Sequence, residues 1–224
     1  MSTRTKKKEP QPLAVETVSR QPQQGRSKAS LERMLGAARE LMLESGSEEF
    51  TLLEVSQRGN VSIGSIYLRF ESKDNLVRAV IANTLEEIAE AESKMLEQLL
   101  ASSKSLTEFV PRYVDAYAEV LRKNAPLLRL SMQRASHDAL VSGPGKESAL
   151  KSAREGADAM LRFADEIGGK DRETKASSAY HVIFATLARE LSLGSTGESA
   201  QNYDWQLLKR ELGRMCLAYL KTSD

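Results

Sequence analysis

The chain has 224 residues, 41% of them hydrophobic, with 32 Lys and Arg against 31 Asp and Glu and a single Cys. That is enough for one small and one larger domain, each with its own core. A lone cysteine excludes a disulfide framework, and no run is apolar for long enough to cross a bilayer. The charged start lacks the apolar segment that export requires, so a cytoplasmic location is expected.

The net charge of +1 conceals an uneven distribution. Residues 1 to 29 hold Arg4, Lys6, Lys7, Lys8, Arg20, Arg26 and Lys28 against Glu9 and Glu16. The segment is rich in Pro, Gln, Ser and Thr and shows no period, so it reads as a disordered basic tail. It could drape on a DNA backbone or enter a minor groove, and Arg26 and Lys28, next to the folded part, favour DNA contact. A solvated tail without a role is the plain alternative. The first helix is expected from Ser30 to Ser45, where Leu31, Met34, Leu35, Ala38, Leu41 and Met42 form a stripe and Gly46 follows. Met34 and Met42 are core fillers, not ligands.

Residues 50 to 75, FTLLEVSQRGNVSIGSIYLRFESKDN, carry the most information. Thr51 is an N-cap and Glu54 completes a capping box, with Leu52, Leu53 and Val55 as apolar contacts. Gly59-Asn60 supplies a turn that tolerates left-handed backbone, and Val61 plugs the angle between two helices. Ser62 caps the next helix, on which Ile66 and Phe70 face inward. The opposite face carries Gly64, Ser65, Tyr67 and Leu68. Gly64 weakens a helix by about 1 kcal/mol, which makes sense where backbone must approach a phosphate or base edge. An exposed Leu68 suits a thymine methyl. Lys73, in the first turn of a helix, opposes the dipole there, so a DNA phosphate is its expected partner. The unit is a helix-turn-helix, the device that lays one helix in the major groove.

Val61, Ser62, Gly64, Tyr67, Phe70, Ser72 and Lys73 stand at the spacing Gly-Val-Ser-x-Gly-x-x-Tyr-x-His-Phe followed by Ser-Lys. In this, residues 30 to 75 resemble the DNA-binding segment of the TetR family of bacterial transcriptional regulators. Asn60 replaces the usual Gly, and Arg69 replaces the usual His. The resemblance implies phosphate contacts from Thr51, Ser62, Tyr67, Arg69 and Lys73, and base contacts from Ile63, Gly64, Ser65 and Leu68. The plain alternatives are a half-buried Tyr67 capping the small core and a Leu68 that is merely exposed.

Beyond Lys73 the pattern is helical throughout. Helices are expected from about 73 to 101, over SLTEFVPRYVDAYAEVLRKN with Pro111 in a first turn or at a bend, and over PLLRLSMQRASHDAL with Pro126 in a first turn. Gly143-Pro144-Gly145 should break the chain before a helix that ends near Gly168-Gly169. Two more should run from about Asp171 to Leu193 and from about Tyr203 to Lys221, joined by the polar loop GSTGESAQN. Tyr180, Phe184, Leu187 and Leu191, then Leu208, Leu212, Met215 and Tyr219, recur at helical steps. The resemblance implies that these last two helices pair with a second copy, which suits a palindromic operator. Cys216 reads as a buried thiol rather than a redox switch.

An effector site in this region needs apolar walls with a few polar groups. Tyr113, Tyr117, Met132, Met160, Phe163, His181 and Phe184 are the candidates, although each is individually more at home as ordinary core. By resemblance, ligand entry shifts the long linking helix and lowers DNA affinity. His137 beside Asp138 reads as a solvated or capping pair.

An enzyme fits poorly. The two His are 44 residues apart, no metal-ligand spacing occurs, and Ser136-His137-Asp138 cannot form a triad from adjacent positions. No phosphate-binding glycine loop occurs, and no cofactor or metal is expected. The expected organisation is all-α: a basic tail over 1–29, a three-helix DNA-binding domain over 30–75, and a helical effector-binding and dimerisation domain over 76–224. Its expected function is that of a sequence-specific repressor released from double-stranded DNA by a small molecule. The alternative keeps the fold without an effector, as a nucleoid-organising or partner-regulated protein.

Overall fold

The computed structural model describes residues 25–194 and 203–223. Among them lie eight α-helices and no strand: α1 (Gly25–Ser45), α2 (Leu52–Arg58), α3 (Ile63–Tyr67), α4 (Lys73–Ser102), α5 (Leu106–Ala135), α6 (Ala139–Leu161), α7 (Arg172–Glu190) and α8 (Trp205–Lys221). A short 3-10 turn, Ala164–Glu166, follows α6. The chain divides into two compact units, Met1–Asn83 and Thr84–Asp224, with the division inside α4. The basic tail up to residue 24 and most of the loop before α8 lie outside the described residues.

In the first unit, Met34, Ala38 and Met42 of α1 are buried, as are Phe50, Val55, Ile66, Phe70, Leu76 and Val77. The first turns of α4 therefore belong to this unit's core. α1 begins at Gly25, five residues before the expected Ser30. Lys28 and Ala29 are good helix formers, and Lys28 makes an i,i+4 ion pair with Glu32 at 4.0 Å. Gly46 ends the helix with φ of 62°.

The second unit departs from expectation at its prolines. α5 is one helix with Pro111 and Pro126 inside it, not two. An interior proline costs about 3 kcal/mol. Val114, Tyr117, Leu121, Ala125 and Leu128 are all buried along this helix, so the apolar stripe runs past Pro126 without a break and outweighs that cost. Gly143-Pro144-Gly145 likewise lies within α6, which Asp138 caps by accepting from the Leu140 N–H at 3.1 Å. α6 ends at Leu161, earlier than expected.

α5 packs on α8 and α6, and α7 packs on α6 and α8. Lys209 of α8, 4% exposed, sits between Asp115 at 2.6 Å and Glu119 at 2.7 Å. The Trp205 indole also donates to Glu119, at 2.9 Å, tying α8 to α5. Lys175, near the start of α7, donates to the Gly168 and Thr222 carbonyls and lies over the Tyr219 ring near the end of α8. Those two helices are thus antiparallel. Cys216 is buried on α8, and burial pushes its thiol up to about 11.

Candidate nucleic-acid interface

The helix-turn-helix is built by local chemistry. Thr51 caps α2: the Glu54 N–H donates to its hydroxyl oxygen, while the Thr51 N–H donates to the Glu54 carboxylate at 2.7 Å. The Thr51 hydroxyl also donates to that carboxylate, at 2.8 Å. Its proton is already engaged in the capping box, so a phosphate would have to displace Glu54. These hydrogen bonds from Thr51, the backbone one foremost, hold the Glu54 carboxyl below the usual carboxylate range.

At the turn, Asn60 adopts the left-handed conformation with φ of 46°. Gly59 does not; its φ is −80°. Glycine is needed there because a Cβ would stand 3.0 Å from the Arg33 carbonyl oxygen of α1 and 3.1 Å from that of Val55. α1 thus passes directly over the turn. Ser56 Oγ donates to the Val61 carbonyl at 2.6 Å, and Val61 closes the angle with 9% exposure. Arg58 grips the Glu44 carboxylate through both terminal nitrogens, at 2.5 and 2.8 Å, bracing α2 against α1 and keeping Glu44 below the usual carboxylate range. The Leu53 side chain, expected as an apolar contact, is 55% exposed.

Ser62 caps α3 by accepting from the Ser65 N–H at 3.1 Å, and the two hydroxyls lie 2.7 Å apart. Ile66 and Phe70 are wholly buried and fix the helix to the core. Its other side stands in solvent: Ile63 is 39% exposed, Tyr67 59% and Leu68 63%. Nothing lies within 4 Å of where a Gly64 side chain would begin. Tyr67 is therefore no cap for the small core. Ser62, Ile63, Gly64, Ser65, Tyr67 and Leu68 are gathered on one five-residue helix and its two ends, with Arg69 half-buried just beyond. Lys28 is exposed on the first turns of α1.

The Lys73 ammonium donates to the carbonyls of Glu48 at 2.8 Å and Phe50 at 3.1 Å and lies 5.2 Å from the Phe50 ring centroid. Two backbone acceptors and an aromatic face thus hold the cation at the helix start, with one of its three N–H donors left for a phosphate. Lys73 clamps the connection between α1 and α2.

The effector candidates fall in the second unit. Tyr113, Tyr117 and Met160 are buried there, and Met132, Phe163 and Phe184 pack partly buried on the same core. His181 does not join them. One residue round α7 from buried Tyr180, it points away from the core and is exposed. Six rings run in series, Phe163, Phe109, Tyr113, Tyr117, Tyr180 and Phe184, with neighbouring centroids 5.4 to 6.3 Å apart. The Tyr117 and Tyr180 hydroxyls are hydrogen-bonded at 2.9 Å. Burial raises all three tyrosine hydroxyls, Tyr180 to about 12. Glu92, 5% exposed on α4, was absent from the expected set. The signal was available: Ile81, Leu85, Ile88, Glu92, Met95 and Leu99 follow one another by steps of four and three, so a carboxylate occupies an apolar stripe position.

Residues 34–80 match the family model described as bacterial regulatory proteins, tetR family. No curated protein matches the chain. Among solved structures, one from Mesorhizobium loti assigned to the TetR-family transcriptional regulators is 17% identical with a TM-score of 0.68, covering 88% of this chain and 96% of its own. A transcriptional regulator from Cytophaga hutchinsonii is 18% identical with a TM-score of 0.64, covering 86% and 98%. A bacterial regulatory protein in the tetR family from Rhodococcus is 14% identical with a TM-score of 0.61, covering 87% and 98%. The family consists of transcription factors, not enzymes. No described helix is long and apolar enough to cross a membrane. Residues 34–80 thus match the tetR-family model, and the chain carries the fold of solved structures of that family.

Proposed function

We propose that the chain is a cytoplasmic, dimeric repressor that reads a palindromic operator with α3 and releases it when a small molecule binds in the second unit. The observation that carries the DNA reading is the solvent-facing side of α3. Ile63, Tyr67 and Leu68 stand exposed beside Gly64 and the Ser62–Ser65 hydroxyl pair, an arrangement that serves neither packing nor solubility. In a major groove, Ile63 and Leu68 meet thymine methyls, Gly64 and Ser65 bring backbone and hydroxyl close to base edges, and Ser62, Tyr67 and Arg69 hold phosphates. Lys28 adds a phosphate contact from α1, and Thr51 one from the α2 cap if Glu54 yields. With few side chains able to make bidentate base contacts, DNA shape supplies part of the specificity.

Dimerisation is supported by apolar residues left outside the second unit's core. Tyr180, Leu187 and Leu212 are consumed by that core, whereas Val182 of α7 and Met215 and Tyr219 of α8 are 51%, 61% and 44% exposed. The two antiparallel helices thus offer an outward apolar surface suited to a symmetric copy. The aromatic series supports the effector reading.

Selection of duplexes from a random DNA pool tests the function directly. The expected result is a two-fold symmetric consensus that disappears with Tyr67→Ala. Binding without a consensus that vanishes at moderate salt would instead support the nucleoid-organising or partner-regulated alternative.

A further inference from the structure

Two hydroxyls of the DNA-binding unit share a hydrogen bond. Ser62 Oγ and Ser65 Oγ lie 2.7 Å apart, with either able to donate, and the Ser65 N–H donates to Ser62 Oγ at 3.1 Å. A serine hydroxyl has one proton to give and two lone pairs that receive. One of the two protons is spent between the serines, so the pair offers a single proton to a ligand. Whichever serine gives it, the other can only accept.

A DNA backbone decides between these two arrangements. Its phosphates are ionised and take hydrogen bonds without giving any. With a phosphate on Ser62, the Ser62 proton points outward, and its two lone pairs are filled by the N–H and the O–H of Ser65. Ser65 is then left with two lone pairs and no proton. The oxygen is within reach of a base edge, because Ser65 is only half-buried and its neighbour Gly64 has no side chain. Nothing lies within 4 Å of where a Gly64 side chain would begin. Ile63 and Ile66 are apolar, so Ser65 and Tyr67 are the polar side chains of this helix.

We propose that Ser65 meets DNA as an acceptor alone, and so selects at one position of the half-site a base with an amino group in the major groove. Adenine offers N6 and cytosine offers N4, whereas guanine and thymine present only acceptors there. A serine hydroxyl without a partner turns to suit a donor or an acceptor and reads all four bases alike. Ser62 removes that freedom by taking the Ser65 proton. The backbone contact thereby sets the base that is read. This rests on the reading of α3 as a major-groove helix with Ser62 on a phosphate, and it adds the chemical class of the base recognised.

The test uses the full chain and a half-site recovered by selection from a random duplex pool. The expected half-site holds A or C at one position, a preference that Ser65→Ala loses while the rest of the consensus stands. Purine in place of that adenine, or 2-pyrimidinone in place of that cytosine, deletes the amino group alone. The deletion should weaken wild-type binding about three- to tenfold, the worth of one hydrogen bond, and leave Ser65→Ala unaffected. Ser62→Gly removes the partner hydroxyl with the least harm to a helix cap and should admit G and T at the same position. Melting curves confirm that the variants are folded, and Ser62→Ala serves as a second replacement. Three results overturn the inference while the major-groove reading stands: a consensus with no Ser65-dependent position or one that requires G or T there, an amino deletion felt equally by wild type and Ser65→Ala, or a preference unchanged in the Ser62 variants. A selection that returns no consensus overturns both.

Discussion

Removing the Lys73 ammonium leaves the carbonyls of Glu48 and Phe50 without their donor. Lys73→Ala should therefore cost about 1 to 3 kcal/mol of stability, the usual range for charge-assisted hydrogen bonds in a partly buried setting. Tyr67→Ala removes an exposed ring and should change stability by less than about 0.5 kcal/mol while weakening DNA binding. Chemical denaturation of the two variants reads the difference, and an undiminished Lys73→Ala would show the clamp to be idle. At Glu92 the prediction concerns pH. A carboxyl raised by burial binds its proton more tightly in the native than in the unfolded state, so native stability falls as pH climbs from the ordinary carboxylate value through the raised one. Glu92→Gln should equal the wild type in acid below that window and exceed it at neutral pH. Melting temperatures measured in parallel at both ends of the window check this; a variant less stable than the wild type at neutral pH would contradict it.

Among the elements, the turn between α2 and α3 shows how closely α1 is seated. The backbone oxygens of Arg33 and Val55 limit what Gly59 can carry, so Gly59→Ala should cost about 1 to 3 kcal/mol through overpacking. A urea melt that leaves the midpoint unchanged would mean that α1 can retreat freely. Most of this unit was legible in the sequence because its rules are local: Thr51 with Glu54, Asn60 at a positive φ, Ser62 as a cap, and Ile66 with Phe70 one turn apart. The carbonyl partners of Lys73 were not legible because they lie 23 and 25 residues back and no local pattern announces a carbonyl acceptor. The prolines of α5 misled for the opposite reason. Pro126 is a strong local stop signal, whereas the stripe that overrides it becomes visible only across the whole helix. His181 was placed in the core through its neighbour Tyr180, although one residue along a helix is a turn of 100°.

For the molecule as a whole, the outward apolar residues of α7 and α8 make the assembly testable. Val182→Glu combined with Met215→Glu adds two charges to each copy's surface while leaving the buried stripe intact. The double variant should sediment as a monomer at concentrations where the wild type is a dimer, with lower affinity for a complete palindrome. A double variant that remains dimeric would move the interface elsewhere.

The burial of Cys216 has a further consequence. Because burial raises its thiol to about 11, little of it is thiolate near neutral pH, and the sulfur is also shielded on the buried face of α8. The chain has no other cysteine. Alkylation followed by mass spectrometry thus records how often α8 lifts from α5, giving the second unit a built-in clock for its own opening that needs no introduced label.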